Sequence, residues 1–159
     1  MIHPTATVES DCTVGDGTNI WGSASVSRGS RIGAGCTVGQ NAHIEGAVIG
    51  DRCKIQTFAY LPPGTVLEDE VFIGPNATFT NHKEPTATRE GEFTPQGTRV
   101  CKGANIGANA TIGPGIVIGE GAFVQMGARV WKNVAPGSTV YGSPDMCGCA
   151  PGKHEETGE

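Results

Sequence analysis

An aliphatic residue returns at every sixth position from Ile2 to Ile44, through Val8, Val14, Ile20, Val26, Ile32 and Val38. One step of five resets the phase, giving Ile49, Ile55, Leu61, Leu67, Ile73 and Phe79, and after a gap the series resumes as Val100, Ile106, Ile112, Ile118, Val124 and Val130. Four residues beyond most anchors stands something small, among them Cys12, Thr18, Ala24, Ser30, Cys36, Ala42, Cys53, Ala59, Ala77, Ala104, Ala110 and Ala122. Glycine often follows the anchor directly, as at Gly33, Gly39, Gly50, Gly74 and Gly107, where a turning backbone profits from a residue without Cβ. A period of six is neither the 3.6 of a helix nor the 2 of a plain strand; it is the mark of short strands and turns stacked in a solenoid. The fold class that follows is all-β, a parallel β-helix of hexapeptide repeats over residues 1–142, with residues 143–159 as a polar C-terminal tail. A sandwich or barrel tolerates uneven loops and would not hold one phase over so long a run.

The gap between Phe79 and Val100 is the one interruption, a long inserted loop over residues 80–99 opening with Thr80-Asn81-His82-Lys83-Glu84-Pro85. Compact domains seldom carry a structureless stretch of that length without a function for it, so the loop is the candidate reactive centre. The chain's 159 residues suffice for one domain, and 25 Gly with 10 Pro favour many tight turns over helices. A net charge of −5 argues against nucleic acid or an anionic membrane surface as partner, since both demand a basic face. No stretch approaches 18 apolar residues and the N-terminus lacks a basic segment followed by an apolar run, so a soluble, cytoplasmic protein is expected. Cys12, Cys36 and Cys53 fall in the small-residue columns and read as reduced core residues rather than a disulfide framework.

Several segments, in order, carry a resemblance: Ile2-His3-Pro4-Thr5-Ala6, Ile20-Trp21, Val38-Gly39-Gln40-Asn41, Ile49-Gly50-Asp51-Arg52-Cys53-Lys54-Ile55-Gln56, Leu67-Glu68-Asp69, Val71-Phe72-Ile73-Gly74-Pro75 and Phe79-Thr80-Asn81. Together they resemble the hexapeptide-repeat acyltransferases, and within them the N-acetyltransferases of nucleotide-linked 3-amino sugars, such as UDP-2-acetamido-3-amino-2,3-dideoxyglucuronate and dTDP-3-amino-3,6-dideoxyhexose. The resemblance implies a left-handed triangular β-helix of 18 residues per coil, assembled as a homotrimer with sites between subunits. It also implies acetyl-CoA as co-substrate, a nucleotide-linked amino sugar as acceptor, and Asn81 as the residue that orients the amine. Two positions depart from the subgroup: Thr86 stands where a basic residue is usual after Pro85, and Gly142-Ser143-Pro144 runs on to Asp145-Met146 instead of Ala-Lys.

The chemistry of acyl transfer separates the candidates. An amine near the model α-amino pKa of roughly 7.7 to 8.0 supplies its neutral form at pH 7 for only about 1.4 kcal/mol, so a protein base is optional. A hydroxyl acceptor needs a positioned base, commonly His. Asn81 suits the first, because its carboxamide oxygen accepts a hydrogen bond from the nucleophile; otherwise it only turns the chain. His82 suits the second, as the general base of an O-acetyltransferase, or is a solvated loop histidine. A β-helix that assembles complexes without catalysis would not need this loop. Gln40, Asn41, Gln56 and Tyr60 occupy outward positions open to the sugar nucleotide or to subunit contact, and Trp21 and Arg28 to a base or diphosphate. Gly103, Ala104, Ala108 and Gly127 are small enough for close approach of the pantetheine arm, with Lys132 among the cations near that end for the CoA phosphates, together with Arg99, Lys102, Arg129 and Lys153. His3, His43, His82 and His154 lack the close pair on a later coil found in the γ-class carbonic anhydrases of this fold, and Cys147 with Cys149 does not complete a zinc site, so no metal is expected.

Overall fold

The structure, a computed structural model, describes residues 1–87 and 93–142. Among the described residues twenty short strands, with no helix, form three parallel sheets that are the faces of a triangular prism. Face one stacks Thr7–Val8, Ser25–Ser27, His43–Glu45, Tyr60–Leu61, Thr78–Phe79, Thr111–Ile112 and Arg129–Val130; face two runs from Thr13–Val14 to Val117–Ile118 with six strands; face three runs from Asn19–Ile20 to Thr139–Val140 with seven. Partners such as Thr7 and Ser25, or Asn19 and Thr37, are one coil apart, and backbone amides of each coil donate to carbonyls of the next, as Thr37 N to Cys53 O at 2.9 Å. The parallel β-helix of hexapeptide repeats read from the periodicity is thus the fold.

From Ile20 onward the anchors are the second residues of the strands and form the core, while Val8 and Val14 are partly buried against it and Ile2 is exposed in an isolated bridge. Ile20, Val38, Ile55, Ile73, Ile106 and Val124 make one continuous buried column on face three, and Ala, Cys, Thr and Ser fill the corners beside them. Thr18, Ser30, Thr65 and Thr98 are buried with their hydroxyls donating to backbone carbonyls, so the small polar corner residues cost no unsatisfied group. Cys36 and Cys53 are stacked free thiols in the same column, and burial adds to their mutual hydrogen bond in pushing the Cys53 thiol up. The register also steps near the end, where Val134 bridges Ile118 and Val140 pairs with Val124; periodicity alone did not reach these two.

The glycine that follows an anchor has a different reason from the one read in the sequence. A Cβ at Gly39 would lie 2.6 Å from Thr57 N, and one at Gly74 would lie 2.6 Å from Ala108 N, so these residues are small because the next coil passes directly over them. The left-handed backbone comes two residues later, at Asn41 (φ 56°), Phe58 (φ 60°), Asn76 (φ 56°) and Asn109 (φ 57°), which stack on one corner. Asn accepts this conformation more readily than most residues, and Asn41 therefore has a backbone task whatever else it does.

The step of five in the anchor series is the deletion of one corner residue at Glu45-Gly46-Ala47, after which partners such as Arg31 and Val48 are 17 apart. The insertion enters at the same corner. Leu67 still pairs with Val100, so the loop leaves the prism without disturbing its register. Arg99 is a strand residue, bonded through its Nε to Glu68 at 2.9 Å, and the insertion is residues 80–98 rather than 80–99. Phe79, fully buried just before the exit, is the largest side chain of the core. Phe79→Ala is expected to cost about 3 to 5 kcal/mol, read as a lowered denaturation midpoint with unchanged strand content, since removal of a fully buried aromatic leaves a cavity the stacked coils cannot close.

Candidate active site

Each corner of the prism has its own character. The corner between faces one and two carries Arg28, Gly46, Pro63, the insertion, Gly115 and Trp131; the corner between two and three is acidic, with Asp51, Glu68, Asp69 and Glu70; the corner between three and one presents Trp21, Gln40, Phe58, Ala108 and Met126. The insertion corner is where polar side chains converge.

The loop is held at its stems. Thr80 and Thr98 donate their hydroxyls to Ile112 O and Gly113 O on the coil above, at 3.1 and 2.9 Å. Gln96 bridges the two limbs, its amide donating to Asn81 O at 2.9 Å and its carbonyl accepting from Gly115 N at 3.0 Å. Between the limbs lies a cavity of about 250 Å³ lined by Asn81, His82, Lys83, Glu84, Phe93, Thr94 and Gln96. Both residues that the sequence singled out as catalytic line it.

Asn81 is half-buried, and its Nδ2 donates to Pro63 O at 3.3 Å. That bond orients the carboxamide and leaves its oxygen as the group able to accept from a ligand. His82 stacks on Phe93, with ring centroids 4.7 Å apart and planes 11° from parallel. The Glu84 amide donates to His82 Nδ1 at 3.0 Å. Phe93, Glu84 and Gln96 were not among the residues picked from the sequence, because nothing in the hexad pattern reports on a loop that lies outside it.

Two coils below the strand from which the loop leaves, on face one, a second cluster surrounds Glu45. Arg28 Nε approaches Glu45 Oε1 at 2.7 Å, the Tyr60 hydroxyl donates to Glu45 Oε2 at 3.2 Å, and the His43 ring lies 5.6 Å from that of Tyr60. Burial, aided by the nearby Glu45 carboxylate, raises the Tyr60 phenol above its ordinary value, so it stays a proton donor across the neutral range. Glu45 was missed in the sequence, although it stands beside the shortened corner, where a third strand residue is turned outward.

The remaining residues are dispersed within one chain. Trp21, Gln40, Asn41 and Gln56 sit on the corner between faces three and one, across the width of face one from the loop. Ala108 and Gly127 stack on that corner too, through Gly127 N to Ala108 O at 2.8 Å. Gly103 and Ala104 are on the acidic corner, and Lys132 is near Arg129 and Trp131 beside a cavity of about 400 Å³ at the last coil. No single chain brings these groups to the loop. Among the described residues no three His, Cys, Asp or Glu are grouped to hold a metal, and no helix is long and apolar enough to cross a membrane. Lys153, His154, Cys147 and Cys149 lie outside the described residues.

Known proteins give the fold its family. Residues 29–62 and 46–81 match the bacterial transferase hexapeptide model, and residues 97–131 match the hexapeptide repeat of succinyl-transferase, together more than half of the chain. The chain thus carries the hexapeptide repeats of bacterial transferases over residues 29–81 and 97–131, and is similar to the hexapeptide-repeat acyltransferases. The bifunctional protein GlmU of Heliobacterium modesticaldum is 38% identical over 74 residues, 46% of this chain and 16% of that protein, so the match spans less than a fifth of the relative. A hexapeptide-repeat acetyltransferase from Vibrio cholerae, solved with acetyl coenzyme A, superimposes with a TM-score of 0.59 at 25% identity, over 69% of this chain and 64% of that one. The acetyltransferase domain of PglB from Neisseria gonorrhoeae, at 22% identity and a TM-score of 0.56 over 87% of this chain and 52% of that one, shares the fold.

The anchoring of the loop is open to test. A Cβ at Gly97 would fall inside the carbonyl of Gly64, so Gly97→Ala must displace the returning limb. Faster hydrogen exchange at the Gln96 and Gly115 amides is expected, with exchange of the core strands unchanged.

Proposed function

We propose that the protein is an acetyl-CoA-dependent N-acetyltransferase that acylates the 3-amino group of a nucleotide-linked amino sugar, by direct attack of the neutral amine on the thioester. The observation that carries this reading is the fixed carboxamide of Asn81 at the loop cavity. With Nδ2 committed to Pro63 O, the oxygen is an acceptor waiting for a donor, and an amine supplies one while keeping its lone pair for attack. The likeness to the Vibrio cholerae acetyltransferase bound to acetyl coenzyme A supports the donor.

The neighbouring histidine supports an amine over a hydroxyl acceptor. The ring nitrogen that would take a proton, Nδ1, already accepts the Glu84 amide, so a base is not ready there. An amine does not need one. Gln40, Asn41, Gln56, Tyr60, Trp21 and Arg28 are assigned to the sugar nucleotide, and Gly103, Ala104, Ala108, Gly127 and Lys132 to the cofactor.

Since a single chain scatters these groups over three corners, the working unit is a homotrimer whose sites are completed across subunits. Trp21, Phe58 and Met126, 44%, 56% and 63% exposed on one corner, support such contact. Sedimentation is expected to give a trimer, and an active monomer at micromolar concentration would remove the shared-site geometry.

Thiol release from acetyl-CoA, followed against UDP- and dTDP-linked amino sugars, tests the activity. Turnover is expected with a free 3-amino group and not with its hydroxyl counterpart. The rate should climb with the neutral amine and level off near the substrate's own pKa, roughly 8 by the model value. Asn81→Ala should lose about 1 to 3 kcal/mol of transition-state stabilisation, about 5- to 160-fold in kcat, with thermal stability kept. Full activity in that variant would end the assignment of Asn81.

A further inference from the structure

The Glu84 amide does more than shape the loop: it sets the protonation of the histidine. A neutral imidazole has one N–H and one bare nitrogen, and a backbone amide can donate only to the bare one. With Glu84 N–H on Nδ1 at 3.0 Å, the proton of neutral His82 is on Nε2. The ring is clamped on its other side by Phe93, stacked at 4.7 Å, so its orientation is held by two contacts. His82 and Asn81 line the same cavity, and with these contacts made the one keeps an Nε2–H donor and the other a carboxamide oxygen acceptor.

We infer that His82 is the oxyanion donor of this site: its Nε2–H binds the thioester carbonyl oxygen and strengthens that bond as negative charge develops there. The inference rests on the acyl-transfer reading above and deepens it by giving His82 a role opposite to that of a base. As the amine lone pair forms the C–N bond, the carbonyl π pair moves onto oxygen, where the Nε2–H meets it. Collapse restores C=O and breaks the C–S bond, releasing the thiolate of CoA. The proton shed by the ammonium ends on that thiolate by way of solvent, giving amide and free thiol. His82 keeps its own proton throughout. Asn81 and His82 thus divide the work, one accepting from the nucleophile and one donating to the electrophile. Lys83 and Glu84 are the charged groups on the same cavity, and the donor role belongs to the neutral ring, because an imidazolium would turn an Nδ1–H against the Glu84 amide and break that tie.

Two substitutions separate the roles, because an Asn side chain ends near the place of Nδ1 and a Gln side chain reaches the place of Nε2. His82→Asn keeps an acceptor for the Glu84 amide and lacks the distal donor; His82→Gln restores a distal N–H and cannot act as base. With wild-type turnover first established by thiol release, His82→Gln should stay within about tenfold of wild type, while His82→Asn falls about 10²- to 10³-fold in kcat with the KM for acetyl-CoA little changed. Activity in His82→Asn at or above that of His82→Gln would make the histidine a tie of the loop and overturn the inference. Equal loss in both, with an ionisation vanishing from the pH profile, would make it a base and overturn it as well, and so would full activity in both. A wild-type protein inert toward every amino-sugar nucleotide would sink the acyl-transfer reading, and the donor role with it. Independently of activity, nitrogen NMR of the histidine-labelled full chain, with His82 assigned by its absence in His82→Asn, should show the neutral ring protonated at Nε2. An Nδ1–H tautomer would overturn the inference by itself.

Discussion

Everything in this molecule hangs on the vertical hydrogen bonds that join each coil to the next. Amide to carbonyl, coil on coil, at 2.7 to 3.2 Å, they fix the height of a step, and the step fixes what fits inside. A prism of that width has room for one column of branched aliphatics per face and one column of small residues per corner. The interior cannot absorb an extra residue, since the neighbours above and below are backbone and cannot move aside. Any insertion must therefore go outward, and it must go outward at a corner, where the chain already turns. The loop at residues 80–98 obeys this, and so does the one-residue deletion at Gly46 on the same corner. Shortened below and lengthened above, that corner is where the solenoid departs from its own rule.

The same stacking gives side chains on successive coils a fixed spacing, and the charges exploit it. Arg28 meets Glu45, Arg52 meets Glu70 and Arg99 meets Glu68, each pair formed between neighbouring coils. The arginines of these pairs are exposed, so each pair contributes little to stability. Their consequence for function is larger. Arg28, which composition alone would offer to a diphosphate, is already neutralised by Glu45 at 2.7 Å, and Glu45 in turn holds the Tyr60 hydroxyl. An anionic ligand at that place would have to share Arg28 with the carboxylate, so the cluster acts first as a rigid polar shelf beneath the loop.

The sequence was legible wherever structure repeats. The anchors become the buried second residues of the strands, the small residues line the corners, and the interruption becomes a loop, because each hexad states the same steric demand again. What was misread is instructive: the glycines after the anchors are needed for clearance beneath the next coil, while the left-handed positions two residues on are held by Asn41, Asn76 and Asn109 as well as by glycine. A period reveals that a position is small without revealing what crowds it. Glu45, Glu84 and Phe93 escaped for the complementary reason. Their partners are set by one shortened turn and by a loop, and neither recurs, so no column in the sequence could announce them.

This explains why a pair of neutral side chains is a reasonable solution at such a corner. The loop cavity is open to water and its walls carry Lys83 and Glu84, so a buried ion would have little desolvation to exploit and a strongly shifted base would be hard to hold. An amide and a neutral imidazole need no such shift. Each is oriented by one backbone contact, Asn81 through Pro63 O on the solenoid and His82 through the Glu84 amide within the loop, and each keeps a group for a ligand, the carboxamide oxygen of Asn81 and the Nε2–H of His82. For an amine that carries its own lone pair at neutral pH, direction is most of what catalysis requires. For a hydroxyl it would not suffice, because the proton must leave before or during attack and the nitrogen able to take it is already occupied. On the proposed reading, the restriction on the acceptor rests on a backbone amide that never touches it.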